Sequence, residues 1–283
     1  RGVDLRGQNI VANVILRENA PAAIRWESAS RKNLDVDRLM FRGALSLSDR
    51  WAGIDYNAGV NAERSATGER AGEDVYDAAG QLTERRRDVS IENGYKAGTN
   101  INASGWRGDT RLQINTSIYL GKELEPRISL RIPEAGGDDP HEEHFDAKRR
   151  DRSFEAGVNA ERGLNADLLA KAILLYIYGD NDQLSIQTSY DPAGGVTQYR
   201  TADRDSVGTE GIARLEFDWS GLPDHSIQFN LEGAYNSLDG SLVQLVETGA
   251  GAVIVDVPGS DVLVEEVRGD ILLKDTWHAG NLE

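Results

Sequence analysis

The sequence predicts an all-β fold, an antiparallel transmembrane β-barrel, and three observations carry that reading. Hydrophobicity alternates with a period of two along much of the chain. The alternating segments are longer than most strands of soluble proteins, and the gaps between them alternate between short and long. Period two places successive side chains on opposite faces of a strand, so each segment has one apolar and one polar face.

The alternation is read from the residues themselves. Leu112, Ile114, Thr116, Ile118 and Leu120 are interleaved with Arg111, Gln113, Asn115, Ser117 and Tyr119. Ile227, Phe229, Leu231, Gly233 and Tyr235 are interleaved with Gln228, Asn230, Glu232, Ala234 and Asn236. Strands are expected near 22–30, 39–49, 53–64, 89–106, 110–124, 151–162, 167–179, 209–219, 225–237 and 266–277, with an eleventh after Asn281. Many match the ~9–11 residues that a tilted strand needs to cross a bilayer. The segment Asn165 to Tyr178 is rich in Ala and Leu and also fits an amphipathic helix; the hairpin rhythm assigns it to a strand.

The gaps 50–52, 107–109, 163–166, 220–224 and 278–281 are short turns, whereas 65–88, 125–150, 180–208 and 238–265 are expected to be long loops. That threading is how an outer-membrane barrel is built, with short periplasmic turns and long outer loops. Trp51, Trp106, Trp219 and Trp277 each sit beside a short turn, where a girdle of indole rings at the membrane interface is expected. The plainer reading is that aromatics cap strand ends. Tyr95, Tyr176 and Tyr235 lie toward the opposite ends and suit a second girdle. Asp275 falls in register with Val267, Ile271 and Leu273, a charge on the apolar face but close to a turn.

Composition sets the outer limits. Charged residues make up 28% and hydrophobic ones 39% of the 283 residues, with a net charge of −16, so nucleic acid is not an expected partner. The chain has no cysteine, which excludes disulfides and thiolate metal sites. No stretch of ~18 apolar residues is present, so a membrane-spanning helix is not expected. Barrel strands escape that test, because only every second residue is apolar.

Two segments resemble a known family. Gly2-Val3-Asp4-Leu5-Arg6-Gly7, followed by Asn9-Ile10-Val11-Ala12-Asn13-Val14-Ile15, resembles the end of the plug domain in TonB-dependent outer-membrane receptors of proteobacteria. Tyr76-Asp77-Ala78-Ala79-Gly80-Gln81-Leu82-Thr83-Glu84-Arg85-Arg86 resembles the first large outer loop of such receptors. The resemblance implies a barrel of 22 strands, of which about ten are present, with residues 1–18 ending the plug and 19–283 forming the N-terminal half of the barrel. It implies active uptake of a scarce ligand (siderophore, haem, cobalamin or oligosaccharide) powered through the TonB system, and location in the Gram-negative outer membrane. Expected partners are outer-membrane lipid, lipopolysaccharide, the TonB system and the transported ligand. The sequence departs from a whole receptor in having no TonB box and almost no plug. A non-coupled outer-membrane channel and a soluble secreted β adhesin or binding protein stay open as alternatives.

The polar faces give the candidate ligand or lumen contacts: Asp55, Asn57, Asn61, Arg111, Gln113, Asn115, Arg214, Glu216, Gln228 and Asn230. The same residues would face water in a soluble β protein. His141-Glu142-Glu143-His144, flanked by Asp138, Asp139 and Asp146, has histidines at i and i+3 in an expected loop, unlike the helical i, i+4 pair of zincins; an acidic solvated loop is the simpler reading. Asp180-Asn181-Asp182 lacks the glycine and remaining ligands of a calcium loop. No metal or cofactor is expected, and without a Gly-x-Ser-x-Gly motif no enzyme is expected either. Arg85-Arg86-Arg87 and Arg149-Arg150 would contact anionic lipopolysaccharide or an anionic ligand, or simply neutralise the surrounding acids.

Overall fold

The computed structural model describes residues 22–134 and 139–277. They form one antiparallel sheet of 11 strands: β1 (Ala23–Asn33), β2 (Arg38–Trp51), β3 (Ile54–Tyr76), β4 (Leu82–Arg107), β5 (Thr110–Pro133), β6 (His141–Gly163), β7 (Leu168–Tyr190), β8 (Val196–Trp219), β9 (His225–Thr248), β10 (Gly251–Val255) and β11 (Asp261–Trp277). Sequential strands are neighbours from β1 to β9, and β10 and β11 share the far side of β9. β10 takes its upper part, Gln244 to Thr248, and β11 the lower part, His225 to Ser241. Among the described residues no helix is long and apolar enough to cross a membrane, which has no bearing on strands.

The register converts the alternation into two faces. Tyr56, Ala103, Ile114, Val158, Leu174 and Ala213 follow one another across six strands on the apolar face. One residue along, Asn57, Asn102, Asn115 and Gly157 do the same on the polar face. A slip of one residue would exchange the two faces, so the pattern itself holds the register. At the short-turn end, Ala52 and Gly53 both have positive φ, 51° and 81°. That is the signature of a two-residue type I′ hairpin, whose twist suits the flanking strands.

Among the described residues no second layer covers either face. Among the described residues, Ala66 and Ala234 are the buried apolar side chains. Val267, Ile271 and Leu273 are 83%, 73% and 71% exposed, and Ile114 is 50% exposed. Soluble monomers rarely expose a contiguous apolar patch beyond a few hundred Å². A sheet with this face needs an apolar partner beyond the packing of the described residues.

The strands are longer than expected. β3 to β9 run 23 to 26 residues, and the loops expected at 65–88, 125–150, 180–208 and 238–265 are, where described, mostly continuations of the strands. The connection from β3 to β4 shrinks to 77–81, and that from β7 to β8 to 191–195. In the β3–β4 hairpin the reason is chemical: beyond the apolar band both faces are polar, as in Gly72-Glu73-Asp74 against Arg85-Arg86-Arg87, and the period-two signal disappears while the backbone ladder continues. The segment 168–178 is strand and not helix.

The expected barrel geometry is corrected as well. The described residues form 11 strands, with β1 bonded on one side only and β10 and β11 bonded only to β9, so the sheet is open and a 22-stranded barrel has no support. The expected plug segment 1–18 and the strand after Asn281 lie outside the described residues.

Candidate functional site

The polar face carries the candidate site. By register, all ten candidate residues lie on it. Asn57 faces Asn102, Asn61 faces Gly98, and Gln113 faces Ser104 on one side and Asn159 on the other. Arg214 faces Glu232, Glu216 faces Asn230, and Gln228 faces Asp218. Asp55 binds the Arg50 guanidinium on β2 at 2.6 Å, and Asn57 Nδ2 donates to Ser48 Oγ at 2.7 Å. The Asn159 amide donates to Gln113 Oε1 at 3.2 Å.

The register separates these residues into two groups. Asp55, Asn57, Asn61, Arg111, Gln113 and Asn115 lie on β3 and β5, where amide rungs from Asn57, Asn61, Gln113 and Asn115 accompany the charged Asp55 and Arg111 near the short turns. Arg214, Glu216, Gln228 and Asn230 lie on β8 and β9 beside a ladder of ions. Lys171 Nζ lies 3.2 Å from Glu216 Oε2, and Arg214 lies 3.5 Å from Glu216 Oε1. Arg214 also pairs with Glu232, which Arg268 reaches at 3.3 Å, and Arg268 Nε donates to Asp270 at 3.0 Å. Three cations thus alternate with three carboxylates across β7, β8, β9 and β11. Their sum is neutral, and each inner carboxylate accepts from two cations. Side-chain exposure of Lys171, Glu216 and Glu232 is only 10%, 8% and 11%, so these charges depend on one another.

Lys171 and Arg268 had no place among the sequence candidates. Lys171 sits in a segment whose polar-face positions are otherwise Leu169, Ile173, Leu175 and Ile177, so the alternation that marks a polar face fails there. Parity counted from Leu174, on the apolar face, was the available signal. A second ionic cluster lies toward the long hairpin tips, where Arg131 binds Glu143 at 2.5 Å and Glu84 at 3.4 Å, and Arg86 binds Glu73 at 3.1 Å.

The aromatic residues divide by parity. Trp51 pairs with Ile54 and Trp219 with Ile227, both on the apolar face at the short-turn end. Trp277 pairs with His225 there and stacks on its ring at 6.5 Å. Trp106 departs from the girdle: it pairs with Arg111 and belongs to the polar face. Adjacency to a turn suggested the girdle, but the even number shared with Asn102 and Ser104 decides the side. Asp275 on the apolar face has a partner, His225 Nδ1, at 2.8 Å.

The expected acidic loop around His141 is strand. Alternation puts His141 and Glu143 on one face of β6 and Glu142 and His144 on the other, and His144 Nε2 lies 2.9 Å from Glu142. Among the described residues no group of three or more His, Asp or Glu side chains has metal-binding geometry. Asp138 lies outside the described residues. Asp180 and Asp182 are likewise in a strand, both near Arg152, at 3.0 and 3.4 Å.

Asp182 faces Asp205 across β7 and β8, above the apolar band. A hydrogen bond with Asp182, then burial, then the Asp203 charge hold the Asp205 carboxyl above its usual range. A raised value means that the folded sheet binds this proton more tightly than the unfolded chain does. Its stabilising effect is present at acid pH and is lost as pH rises through the folded value. Asp205→Asn is therefore expected to raise the thermal midpoint at neutral pH, with the gain shrinking on acidification; a gain independent of pH would show that the shared proton is not its cause.

No protein-family model and no curated protein matches the chain. Among solved structures it is similar to the outer membrane protease OmpT from Escherichia coli, at 13% identity and a TM-score of 0.31, covering 90% of this chain and 95% of that one. A likeness at that score transfers neither activity nor mechanism. The expected membership of the TonB-dependent receptors is withdrawn: no family model matches the chain, and the similar structure reported above is titled an outer membrane protease and not a receptor. Siderophore, haem, cobalamin or oligosaccharide uptake and coupling to TonB are withdrawn with it. The expectation that the chain is not an enzyme is withdrawn as well: the similar structure is titled a protease, and at this score the likeness decides neither for nor against an activity.

Proposed function

We propose that the chain forms the wall of a transmembrane β-barrel in the outer membrane of a Gram-negative bacterium. Its apolar face meets lipid, its polar face lines a hydrated interior, and its long hairpins stand outside the bilayer. One observation carries the reading: strand after strand of a single-layer sheet presents an exposed apolar band on the same face, with no layer over it among the described residues. On β5 the band runs from Leu112 to Leu120, close to the ~9–11 residues of a tilted spanning strand. A 24-residue strand at ~3.3 Å per residue is about 80 Å long, far beyond a hydrocarbon core of ~30 Å. The upper half of each long strand therefore rises beyond the hydrocarbon core, and in the β3–β4 hairpin both of its faces are polar. Within the membrane, the ion ladder and amide rungs satisfy one another around a wet interior.

The absence of cysteine makes the test direct. Ile114→Cys and Asn115→Cys are introduced singly into the full chain, which is then folded into phosphatidylcholine vesicles. A membrane-impermeant maleimide is expected to label the Asn115 variant and spare the Ile114 variant, while a lipid-soluble quencher affects a probe at position 114 alone. Equal labelling at both positions would overturn the membrane reading.

A further inference from the structure

We infer that the apolar face carries a binding site for a phosphorylated lipid of the outer leaflet, at the upper margin of the apolar band between β2 and β6. The inference rests on the membrane reading above and adds a ligand to it.

A groove of about 550 Å³ opens on this face. Its floor is made of small residues in one cross-strand row, Gly43, Ala62 and Ala97, with Leu120 closing the far side. A Cβ on Gly43 would meet only one backbone oxygen, at 4.0 Å, so the floor is open space and not a packed contact. The next row toward the hairpin tips reads Phe41, Arg64, Tyr95, Lys122, Arg150. Apolar floor and cationic rim are thus adjacent rows of the same face. Arg64 lies 5.9 Å from the centre of the Tyr95 ring, which holds its guanidinium over the groove. At ~4.8 Å between strands, Arg64 and Lys122 stand about 10 Å apart, and Arg150 about 5 Å beyond.

What sets these cations apart is their place: in a chain with a net charge of −16 they stand together in one row at the edge of an apolar groove. Among the described residues no carboxylate lies in ion-pair range of Arg64, Lys122 or Arg150. The nearest acids across the sheet, Asp180 and Asp182, are engaged by Arg152. Unpaired cations at the edge of an apolar surface attract anionic headgroups, each contact being worth about 1 kcal/mol near a membrane. A soluble anion would use the rim alone and an uncharged lipid the floor alone. A lipid with phosphate at its head and acyl chains below uses both. On the side of the long hairpins, the outer face of such a membrane, the chemistry that fits is a phosphorylated glycolipid of the lipid A type.

The test uses the full chain in phosphatidylcholine nanodiscs doped with fluorescent lipid A, with position-115 labelling run in parallel as the insertion readout. Lys122→Ala/Arg150→Ala is expected to bind lipid A about 30-fold more weakly, as loss of two such contacts predicts. Ala62→Trp, which fills the floor and leaves the charges, is expected to weaken it as well. Arg200→Ala/Arg204→Ala, which removes equal charge from the polar face, is expected to leave binding unchanged. Normal insertion with equal lipid A affinity in the first variant and the parent would overturn the site. So would inorganic phosphate displacing lipid A at millimolar concentration, since the site would then be for an anion only. Failure of the parent chain to insert would overturn the membrane reading, and this inference with it.

Discussion

Glu216→Ala is expected to destabilise the folded chain by about 3–5 kcal/mol, the scale for removing one partner from a buried ionic network. Glu216 is the acceptor for two cations, Lys171 at 3.2 Å and Arg214 at 3.5 Å, and its side chain is 8% exposed. Arg214 keeps Glu232 after the substitution, but Lys171, at 10% exposure, keeps nothing, and the cost is chiefly that orphaned ammonium. Lys171→Met/Glu216→Leu removes both charges and leaves no orphan, so it is expected to lie near the parent or above it. Urea unfolding of the vesicle-folded chain measures both. If Glu216→Ala loses less than about 1 kcal/mol, water in the interior screens the ladder and its charges act singly, as exposed ion pairs do. The pair of variants therefore reports on how wet this face is as well as on the ladder.

Much of this arrangement was legible in the sequence because the period of two is a property of the strand itself. Ala58 to Arg64 and Ala156 to Arg162 have the same seven residues, and the structure gives both the same fate: Ala, Val and Ala on the apolar face, Gly, Asn and Glu on the polar one. What was not legible was whatever the alternation does not encode. The β3–β4 extension is polar on both sides, so composition made a loop of what backbone pairing makes strands. The ion ladder joins Lys171, Arg214, Glu232 and Arg268 from four strands, and its existence depends on register between segments up to 97 positions apart, from 171 to 268. The rim of Arg64, Lys122 and Arg150 has the same character. None is near another in sequence: the sequence marks Arg150, with Arg149, as a candidate anion contact, but register alone adds Arg64 and Lys122 to it. Family resemblance failed for a different reason: short motifs in a polar chain recur easily, and Gly2-Val3-Asp4-Leu5-Arg6-Gly7 lies outside the described residues.

Ile114→Arg is expected to cost about 2–4 kcal/mol in vesicles, while Asn115→Arg, one residue away, stays within about 0.5 kcal/mol of the parent. Ile114 lies inside the apolar band with Ala103 and Val158 on either side, and it has no polar neighbour in its row from Tyr56 to Ala213 except the tyrosine hydroxyl. An arginine there must either enter hydrocarbon or bend toward the interface, and both lose free energy. At position 115 the side chain joins Asn57 and Asn102 on the polar face, where water or a carboxylate can solvate it. Depth supplies an internal control. Asp275 already places a charge on the apolar face, beside the turn and bonded to His225 at 2.8 Å, and Asp275→Arg is expected to shift stability by about 1 kcal/mol or less. In a soluble sheet, the Ile114 and Asp275 substitutions would be equally mild, because water would reach both. A penalty that falls from Ile114 toward Asp275 and is absent at Asn115 follows from a bilayer against one face, and free energies of folding at the three positions measure it.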